Sequence, residues 1–196
     1  STAIAALRML EIPELARVLA TPGLDFHALR RRPTALFLVF PATKIGLYAF
    51  VLNLLHAQAF AAWMERIPGP DELPLYILAD EFGHSSIPDF SAIITNIRKY
   101  RVSISIVLQS ISQLRANYGP DAAEVILEGG VASRLVYGGA DLHTTRWAES
   151  LLGHRVLRER DRNRSEPLMR SDRIRTLPDT KALYLFANHE QDHPVG

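Results

Sequence analysis

Two adjacent carboxylates, Asp80 and Glu81, follow directly after the short apolar run 75–79. A run of this length and composition is typical of a buried strand, so the two acids emerge where the strand ends. A carboxylate in that position can hold a magnesium ion, directly or through water. A second carboxylate beside it can polarise a water molecule that attacks a phosphoryl group. The pair therefore predicts half of a catalytic site, with Asp80 as the metal ligand and Glu81 as the group that activates water.

The other half of such a site is a glycine-rich loop of the form G-x-x-x-x-G-K-[ST], which holds the phosphates. The 196 residues contain no such loop. The acidic pair is typical of the Walker B strand of a P-loop ATPase, although adjacent acids also occur by chance at strand ends. Because the loop supplies most contacts to the β- and γ-phosphates, we expect this chain alone neither to bind ATP tightly nor to hydrolyse it.

Two further side chains are candidates for the same site. Gln109 follows the next predicted strand, and the carboxyl ends of parallel strands share one edge, where Gln109 can sense a bound phosphate. The alternative is a polar strand-end residue satisfied by a turn. Arg98 comes late in the intervening helix and is a candidate for insertion into a neighbouring subunit's site. The alternative is a solvated cation that suits the helix dipole.

Composition restricts the class of protein. The chain is 47% hydrophobic and 22% charged with a net charge of +1, which predicts a soluble globular domain and gives no global signal for nucleic acid. It has no cysteine, which excludes disulfides and thiolate metal sites. Polar residues interrupt the apolar stretch 45–64, which favours an amphipathic or buried helix over a membrane span. Since the chain begins at Ser1 without a signal peptide or an initiator methionine, we expect a part of a longer protein.

Strands and helices alternate along the chain. Short apolar runs predict strands at 35–40, 75–79, 103–108, 134–137 and 182–186. Helical spacing predicts helices at about 44–66, 89–100, 111–117, 121–128 and 141–152, with Asp89 and Asp141 as N-caps. This order predicts an α/β fold, a mostly parallel sheet with helices on both faces.

The segment 154–175 has eight arginines against four acidic residues and no apolar periodicity. It predicts an exposed loop or a loose hairpin. The guanidinium groups of Arg158, Arg160, Arg162 and Arg164 suit contacts with a nucleic-acid backbone, although a solvated charged loop explains them equally well.

An ordered set of motifs, taken together, resembles the TraG/TraD family, the type IV secretion coupling proteins that act as conjugative DNA-transfer ATPases. The motifs occupy residues 29–41, 75–84, 87–90, 96–100, 107–114, 117–119, 137–141 and 150–153. The resemblance covers about residues 20–188 and rests on the order of the motifs rather than on any one of them.

The resemblance implies a RecA-like P-loop NTPase domain that forms a homo-hexamer at the cytoplasmic face of the bacterial inner membrane. It implies ATP and Mg²⁺ as cofactors, with Asp80 on Mg²⁺, Glu81 on water, Gln109 as phosphate sensor and Arg98 acting in the adjacent subunit. The implied partners are single-stranded DNA with its relaxase, a relaxosome accessory protein and the type IV secretion channel.

By the same resemblance, residues 1–20 are a remnant of a helical side domain and residues 21–196 the C-terminal part of the motor domain. The strand that carries the phosphate loop is not in this sequence, so the sheet is expected to be incomplete.

Two other functions remain open. A double-strand DNA pump of the FtsK/HerA type shares the acidic pair and the later glutamine, but the run 109–114 and the Tyr118-Gly119 pair favour coupling proteins. A non-catalytic module that docks the relaxosome would keep this region without the phosphate loop.

Overall fold

The computed structural model describes residues 11–20, 23–39, 41–80, 82–84, 86–159 and 162–186. The chain divides into two compact units, Ser1–Val107 and Leu108–Gly196. The first unit contains α1 (Pro13–Ala20), α2 (Ile45–Met64), β1 (Leu75–Ala79), α3 (Phe90–Asn96) and β2 (Val102–Ile106). The second contains α4 (Ile111–Tyr118), α5 (Pro120–Glu124), β3 (Ser133–Tyr137), α6 (Leu142–Leu152), β4 (His154–Glu159), β5 (Arg162–Pro167), α7 (Ser171–Arg175) and β6 (Ala182–Phe186).

Strands β1 and β2 form the parallel pair that the sequence predicts. Their register runs from Leu75 opposite Val102 to Ala79 opposite Ile106. Helix α3 and a 3-10 turn, Ile97–Tyr100, connect the two strands. Phe90, Ile94 and Ile97 are buried because their spacing places them on one face of this connection. On the other side of the strand pair Tyr76 and Leu78 are 73% and 81% exposed.

The second unit pairs its strands antiparallel. Strand β3 pairs with β6, and β4 pairs with β5 in a hairpin within the arginine-rich segment. The core beneath β3 consists of Val136, Ala148 and Ile174, all buried. A Cβ on Gly138 would clash with the carbonyl oxygen of Leu177, so the chain after α7 passes the residue that follows β3 too closely for any residue but glycine.

The predicted strand at 35–40 is wrong over its described part. Residues 35–39 have no regular structure, and Phe37 and Val39 are 82% and 83% exposed. The apolar composition indicates a strand, but a strand also needs backbone partners, and none of the described strands pairs with this segment.

The predicted side-chain cap of α3 is also wrong. Asp89 occupies the N-cap position with φ 55°, and its carboxylate makes no capping hydrogen bond within the described structure. A capping side chain needs an extended backbone, whereas Asp89 is left-handed. Its carbonyl oxygen instead accepts the N–H groups of Ala92 and Ile93, both at 3.0 Å.

Helix α2 is predominantly apolar, and its polar residues Asn53, His56 and Gln58 do not form one polar face. Its C-terminal half packs into the first unit, where Ala59, Phe60 and Trp63 are buried. Within the described residues, Gly46–Met64 is the one helical segment long and apolar enough to cross a membrane. Length and composition are weak grounds for a membrane span, because core helices of soluble proteins meet the same test.

A buried arginine joins the elements of the first unit. Arg30 is 5% exposed, and its guanidinium donates hydrogen bonds to the carbonyl oxygens of Leu73 (3.2 Å), Trp63 (3.4 Å) and Tyr100 (2.7 Å). The N–H of Leu73 in turn donates to the carbonyl oxygen of Arg30 at 2.9 Å. Burial lowers the pKa of Arg30 from its ordinary value. One side chain thus links the end of α2 to the segments that lead into β1 and β2.

We predict that Arg30→Met destabilises the first unit by about 2–4 kcal/mol, because it leaves two or three buried carbonyl oxygens without a donor. The chain has two tryptophans, one in each unit, so urea unfolding of this unit can be followed by Trp63 fluorescence in a Trp147→Phe background. Arg32→Met is the matched control, since Arg32 is exposed. Equal stability of the two variants would contradict the role of Arg30.

An ion pair closes the proline-rich turn before β1. Arg66 donates to both carboxylate oxygens of Glu72 at 2.6 and 2.8 Å, and the N–H of Gly69 donates to the same carboxylate at 2.8 Å. The hydrogen bonds from Arg66 and then Gly69 lower the pKa of Glu72 from 4.5 to about 2.

The lowered pKa gives a pH-dependent prediction. A carboxylate with a depressed folded pKa stabilises fully above its unfolded pKa of 4.5, and the contribution falls as pH drops towards about 2. Glu72→Gln should therefore lower the thermal midpoint at pH 7, and its difference from wild type should shrink between pH 4.5 and 2. The control Asp71→Asn removes a neighbouring carboxylate that has no ion pair in the described structure. A pH-independent difference for Glu72→Gln would overturn the assignment.

Candidate active site

The backbone before and after Asp80 is hydrogen-bonded to Val107, the residue that follows β2. The N–H of Val107 donates to the carbonyl oxygen of Ala79, and the N–H of Phe82 donates to the carbonyl oxygen of Val107, both at 3.0 Å. The Phe82 ring is buried 4.7 Å from that of Phe90, which anchors the turn. Asp80 therefore stands at the carboxyl end of a parallel strand, with an exposed side chain on a fixed backbone. Glu81, the predicted water-activating residue, lies outside the described residues.

A magnesium ion bound with a nucleotide suits this arrangement. Mg²⁺ in phosphoryl-transfer sites takes one or two carboxylates, and phosphates and water supply the remaining ligands. Among the described residues no group of three or more His, Cys, Asp and Glu side chains could hold a metal ion alone. Asp80 fits the part of a single protein ligand, and the described chain does not build a self-sufficient metal cage.

Arg98 lies at the other end of the same strand pair. It is exposed on the 3-10 turn Ile97–Tyr100, which comes just before β2, whereas Asp80 follows β1. Because the strands are parallel, about five residues of strand, or about 16 Å, separate these two ends. The structure therefore does not bring Arg98 to Asp80 within one chain.

Gln109 belongs to the second unit and is exposed at a bend between β2 and α4. It lines a shallow groove together with Ser110, Gln113, Asp141 and His143. The ends of α4 and α6 form this groove. Gln109 therefore has an accessible side-chain amide, as a phosphate sensor requires.

Thr144 connects the N-termini of α4 and α6. Its hydroxyl accepts the N–H of Ile111 at 3.2 Å and donates to the carboxylate of Asp141 at 2.9 Å. Asp141 caps α6 as predicted, accepting the N–H groups of His143 and Thr144. Burial on its own raises the pKa of Asp141, but the hydrogen bonds from Thr144 and His143 outweigh it and hold that pKa below its ordinary value.

Sequence reasoning missed the cap of α4. The Ser110 hydroxyl accepts the N–H of Gln113 at 3.1 Å. The spacing Ser-x-x-Gln before a helix is the signal that could have identified it. The role of Thr144 has no such local signal, because its partner Ile111 is distant in sequence.

The four arginines predicted to contact nucleic acid occupy the β4–β5 hairpin. Arg158 lies on β4, Arg162 and Arg164 lie on β5, and Arg160 is outside the described residues. The side chain of Arg164 is exposed. The hairpin thus presents at least this arginine to solvent.

The family described as "TraM recognition site of TraD and TraG" matches residues 74–179, more than half of the chain. The chain belongs to the TraG/TraD family of coupling proteins. The match includes β1, Asp80, α3 and the hairpin. It therefore assigns the chain to coupling proteins rather than to FtsK/HerA-type pumps.

Individual relatives agree with this assignment. The chain is 25% identical over 189 residues to the protein VirD4 of Agrobacterium fabrum, and 24% identical over 186 residues to VirD4 of Rhizobium rhizogenes. These alignments cover 87% and 85% of the chain but 28% of each VirD4. This TraG/TraD chain thus spans less than a third of the length of these VirD4 relatives.

Solved structures of the plasmid coupling protein TrwB share the fold. The complex of TrwB with ADP and Mg²⁺ superimposes with a TM-score of 0.71 at 21% identity, over 84% of this chain and 40% of TrwB. The complex of TrwB with a non-hydrolysable ATP analogue gives 0.72 at 19% identity, over 84% and 41%. These matches confirm the predicted α/β, RecA-like fold class.

We predict that Thr144→Val weakens the link between α4 and α6. The substitution preserves shape but removes the acceptor of the Ile111 N–H, at a cost of about 1–3 kcal/mol. Amide hydrogen exchange at Ile111, measured by NMR, should accelerate about tenfold or more. Thr176→Val is the control, since the Thr176 hydroxyl, among the described residues, bonds to two carbonyl groups of its own turn. Unchanged protection at Ile111 would refute the link.

Proposed function

We propose that this chain is part of the motor of a conjugative coupling protein, which recruits a relaxase bound to single-stranded DNA and drives its transfer through a type IV secretion system by ATP hydrolysis. One observation carries the proposal: Asp80 ends a parallel strand of a TraG/TraD-family domain, on a backbone that β2 and its extension hold in place. The relatives' names, VirD4 and the conjugative coupling protein TrwB, support it.

In this proposal each candidate residue has one task. Bound Mg-ATP supplies the phosphoanhydride bond and a cation that neutralises the phosphates. The Asp80 carboxylate holds that cation, directly or through water. The Glu81 carboxylate orients and polarises the attacking water. The Gln109 amide contacts the terminal phosphate and senses whether it is present.

Arg98 acts in the adjacent subunit of a homo-hexamer. Its guanidinium stabilises the charge that develops on the transferring phosphoryl group. The distance between the two ends of the β1–β2 pair supports this task, because Arg98 cannot reach Asp80 of its own chain. Its exposure, together with the buried Ile97 that anchors its turn, makes it available to a neighbour.

The remaining parts of the proposal concern place and partners. The complete protein acts at the cytoplasmic face of the bacterial inner membrane. The β4–β5 hairpin, through Arg158, Arg160, Arg162 and Arg164, contacts the phosphates of single-stranded DNA. The channel proteins of the secretion system and a relaxosome accessory protein dock on the same assembly.

A second candidate function is supported by the family description, which names a recognition site for TraM. In this alternative the chain is a docking module for a relaxosome accessory protein, and ATP hydrolysis plays no part in its function. A docking module needs the exposed surfaces of the matched region but not the Asp80 carboxylate.

We predict that Asp80→Asn, in the complete coupling protein, lowers the rate of DNA-stimulated ATP hydrolysis at least about a hundredfold, because a metal ligand contributes several kcal/mol to transition-state stabilisation. DNA transfer between cells should be lost in parallel, while folding and accessory-protein binding persist. Asp71→Asn serves as the exposed-carboxylate control. Survival of hydrolysis would refute the role of Asp80, and survival of DNA transfer without hydrolysis would favour the docking module.

A further inference from the structure

A second groove of the second unit has no role in the proposed ATPase site. It has a volume of about 490 Å³ and lies between the base of the β4–β5 hairpin and helix α7. Three arginines, Arg155, Arg170 and Arg173, and one acid, Glu166, are its charged residues. The groove is therefore a positively charged surface that is separate from Asp80 and Gln109 in the sequence and in the lining residues.

Two of these arginines, Arg170 and Arg173, form no side-chain hydrogen bond or ion pair with a described residue, and Arg170 is close enough to Glu166 to attract its carboxylate. Arg155 donates to the carboxylate of Glu166 at 2.8 Å, so that charge is neutralised. Arg170 and Arg173 are exposed and make no ion pair with a described residue. The Arg155 hydrogen bond, with added attraction from Arg155, Arg164 and Arg170, holds the pKa of Glu166 below its ordinary value. Arg170 is the N-cap residue of α7 and Arg173 lies within the helix, so both line the groove from one short segment.

The scaffold beneath these arginines is fixed. Ile174 is fully buried against Val136 and Ala148, and the Glu149 carboxylate accepts the N–H of Ser171 at 2.8 Å. The short helix α7 is thereby attached to α6. Arg173 lies on this helix and Arg170 is its N-cap residue. Both guanidinium groups therefore extend from a backbone that is already in place, and a ligand does not have to order it.

The floor of the groove is apolar. Leu168, Met169 and Pro178 line it, and Leu168 is 54% exposed. Among its lining residues there is no aromatic side chain, so it offers no stacking surface for bases. Two adjacent guanidinium groups beside an aliphatic floor suit carboxylates next to aliphatic side chains better than they suit a nucleic-acid strand.

We propose that this groove binds an acidic, leucine-containing peptide segment of a protein partner, with carboxylates on Arg170 and Arg173 and aliphatic side chains on Leu168 and Pro178. The inference rests on the proposed coupling function only in assigning a docking surface to this region. Within the matched residues 74–179, the partner would bind at this groove.

The test uses a fluorescein-labelled peptide, Glu-Glu-Leu-Leu-Glu repeated twice, and fluorescence anisotropy with the whole chain and no nucleotide. Arg173→Glu should weaken binding at least about tenfold, as expected from losing one ion pair and adding one repulsion. Arg175→Glu is the matched control, because it reverses the same charge two positions along in the same helix and does not line the groove. Its effect should stay within about twofold. If Arg173→Glu fails to fold, Arg173→Gln replaces it.

The proposal is overturned by no binding of the peptide, by equal weakening from Arg173→Glu and Arg175→Glu, or by tighter binding of oligothymidylate of the same length. The last result would make the groove a nucleic-acid site. A glutamate-only peptide that bound as tightly would remove the apolar floor from the site and overturn the stated ligand. Failure here leaves the Asp80 experiment unaffected, because no nucleotide is present.

Discussion

The buried guanidinium of Arg30 is the interaction on which the first unit depends. A planar cation with five donors is enclosed by carbonyl oxygens from three separate segments, so its desolvation is offset by hydrogen bonds that no neutral side chain of similar size could make. These segments are the end of α2 and the approaches to β1 and β2. Arg30 thus holds the residues just before β1 and β2 next to each other. The parallel register that follows places Ala79 opposite Ile106 at the other end of the strands, and Asp80 comes just after Ala79.

The two units hold their candidate residues in different ways. Asp80 is positioned by backbone hydrogen bonds between neighbouring strands, which fix the main chain and leave the carboxylate exposed. Gln109 lines a groove made by two helix ends that share one threonine hydroxyl. In this TraG/TraD-family domain, Asp80, the candidate metal ligand, thus follows a strand, and Gln109, the candidate phosphate sensor, lies beside capped helix ends. This arrangement suits a cation that is held in one place and a sensor that responds to a bound phosphate.

The sequence predicted elements with local signals well. Helix α2 was predictable because its long apolar stretch has no internal proline, and the cap at Asp141 because a side chain suited to capping precedes a helical pattern. The arginine-rich segment was predicted to be a loop or a hairpin because its apolar residues have no regular spacing. Predictions failed where a tertiary partner decides the outcome. The apolar run 35–39 has strand composition but pairs with none of the described strands, and Asp89 has a capping side chain but a left-handed backbone.

Arg30 could not have been identified from sequence. It is the first of three consecutive arginines, and the chemistry of the three residues is identical. Only the three-dimensional arrangement of α2 and the two strand approaches buries the first and leaves the next two exposed. The arginine groove was likewise hidden within a segment that composition alone describes as a charged hairpin, because its lining combines strand, loop and helix residues.

The close approach of Leu177 to Gly138 has an evolutionary consequence. A side chain at position 138 would clash with the main-chain carbonyl oxygen of Leu177. A main-chain atom is present whatever residue occupies position 177, so no substitution there can make room. Gly139 is restricted for another reason, a φ of 78° that L-residues rarely adopt. The two glycines are thus required for independent reasons, and a substitution at one cannot be compensated by a substitution at the other. Descendants of this domain can therefore vary the surfaces around this close approach while Gly138 and Gly139 themselves stay constant.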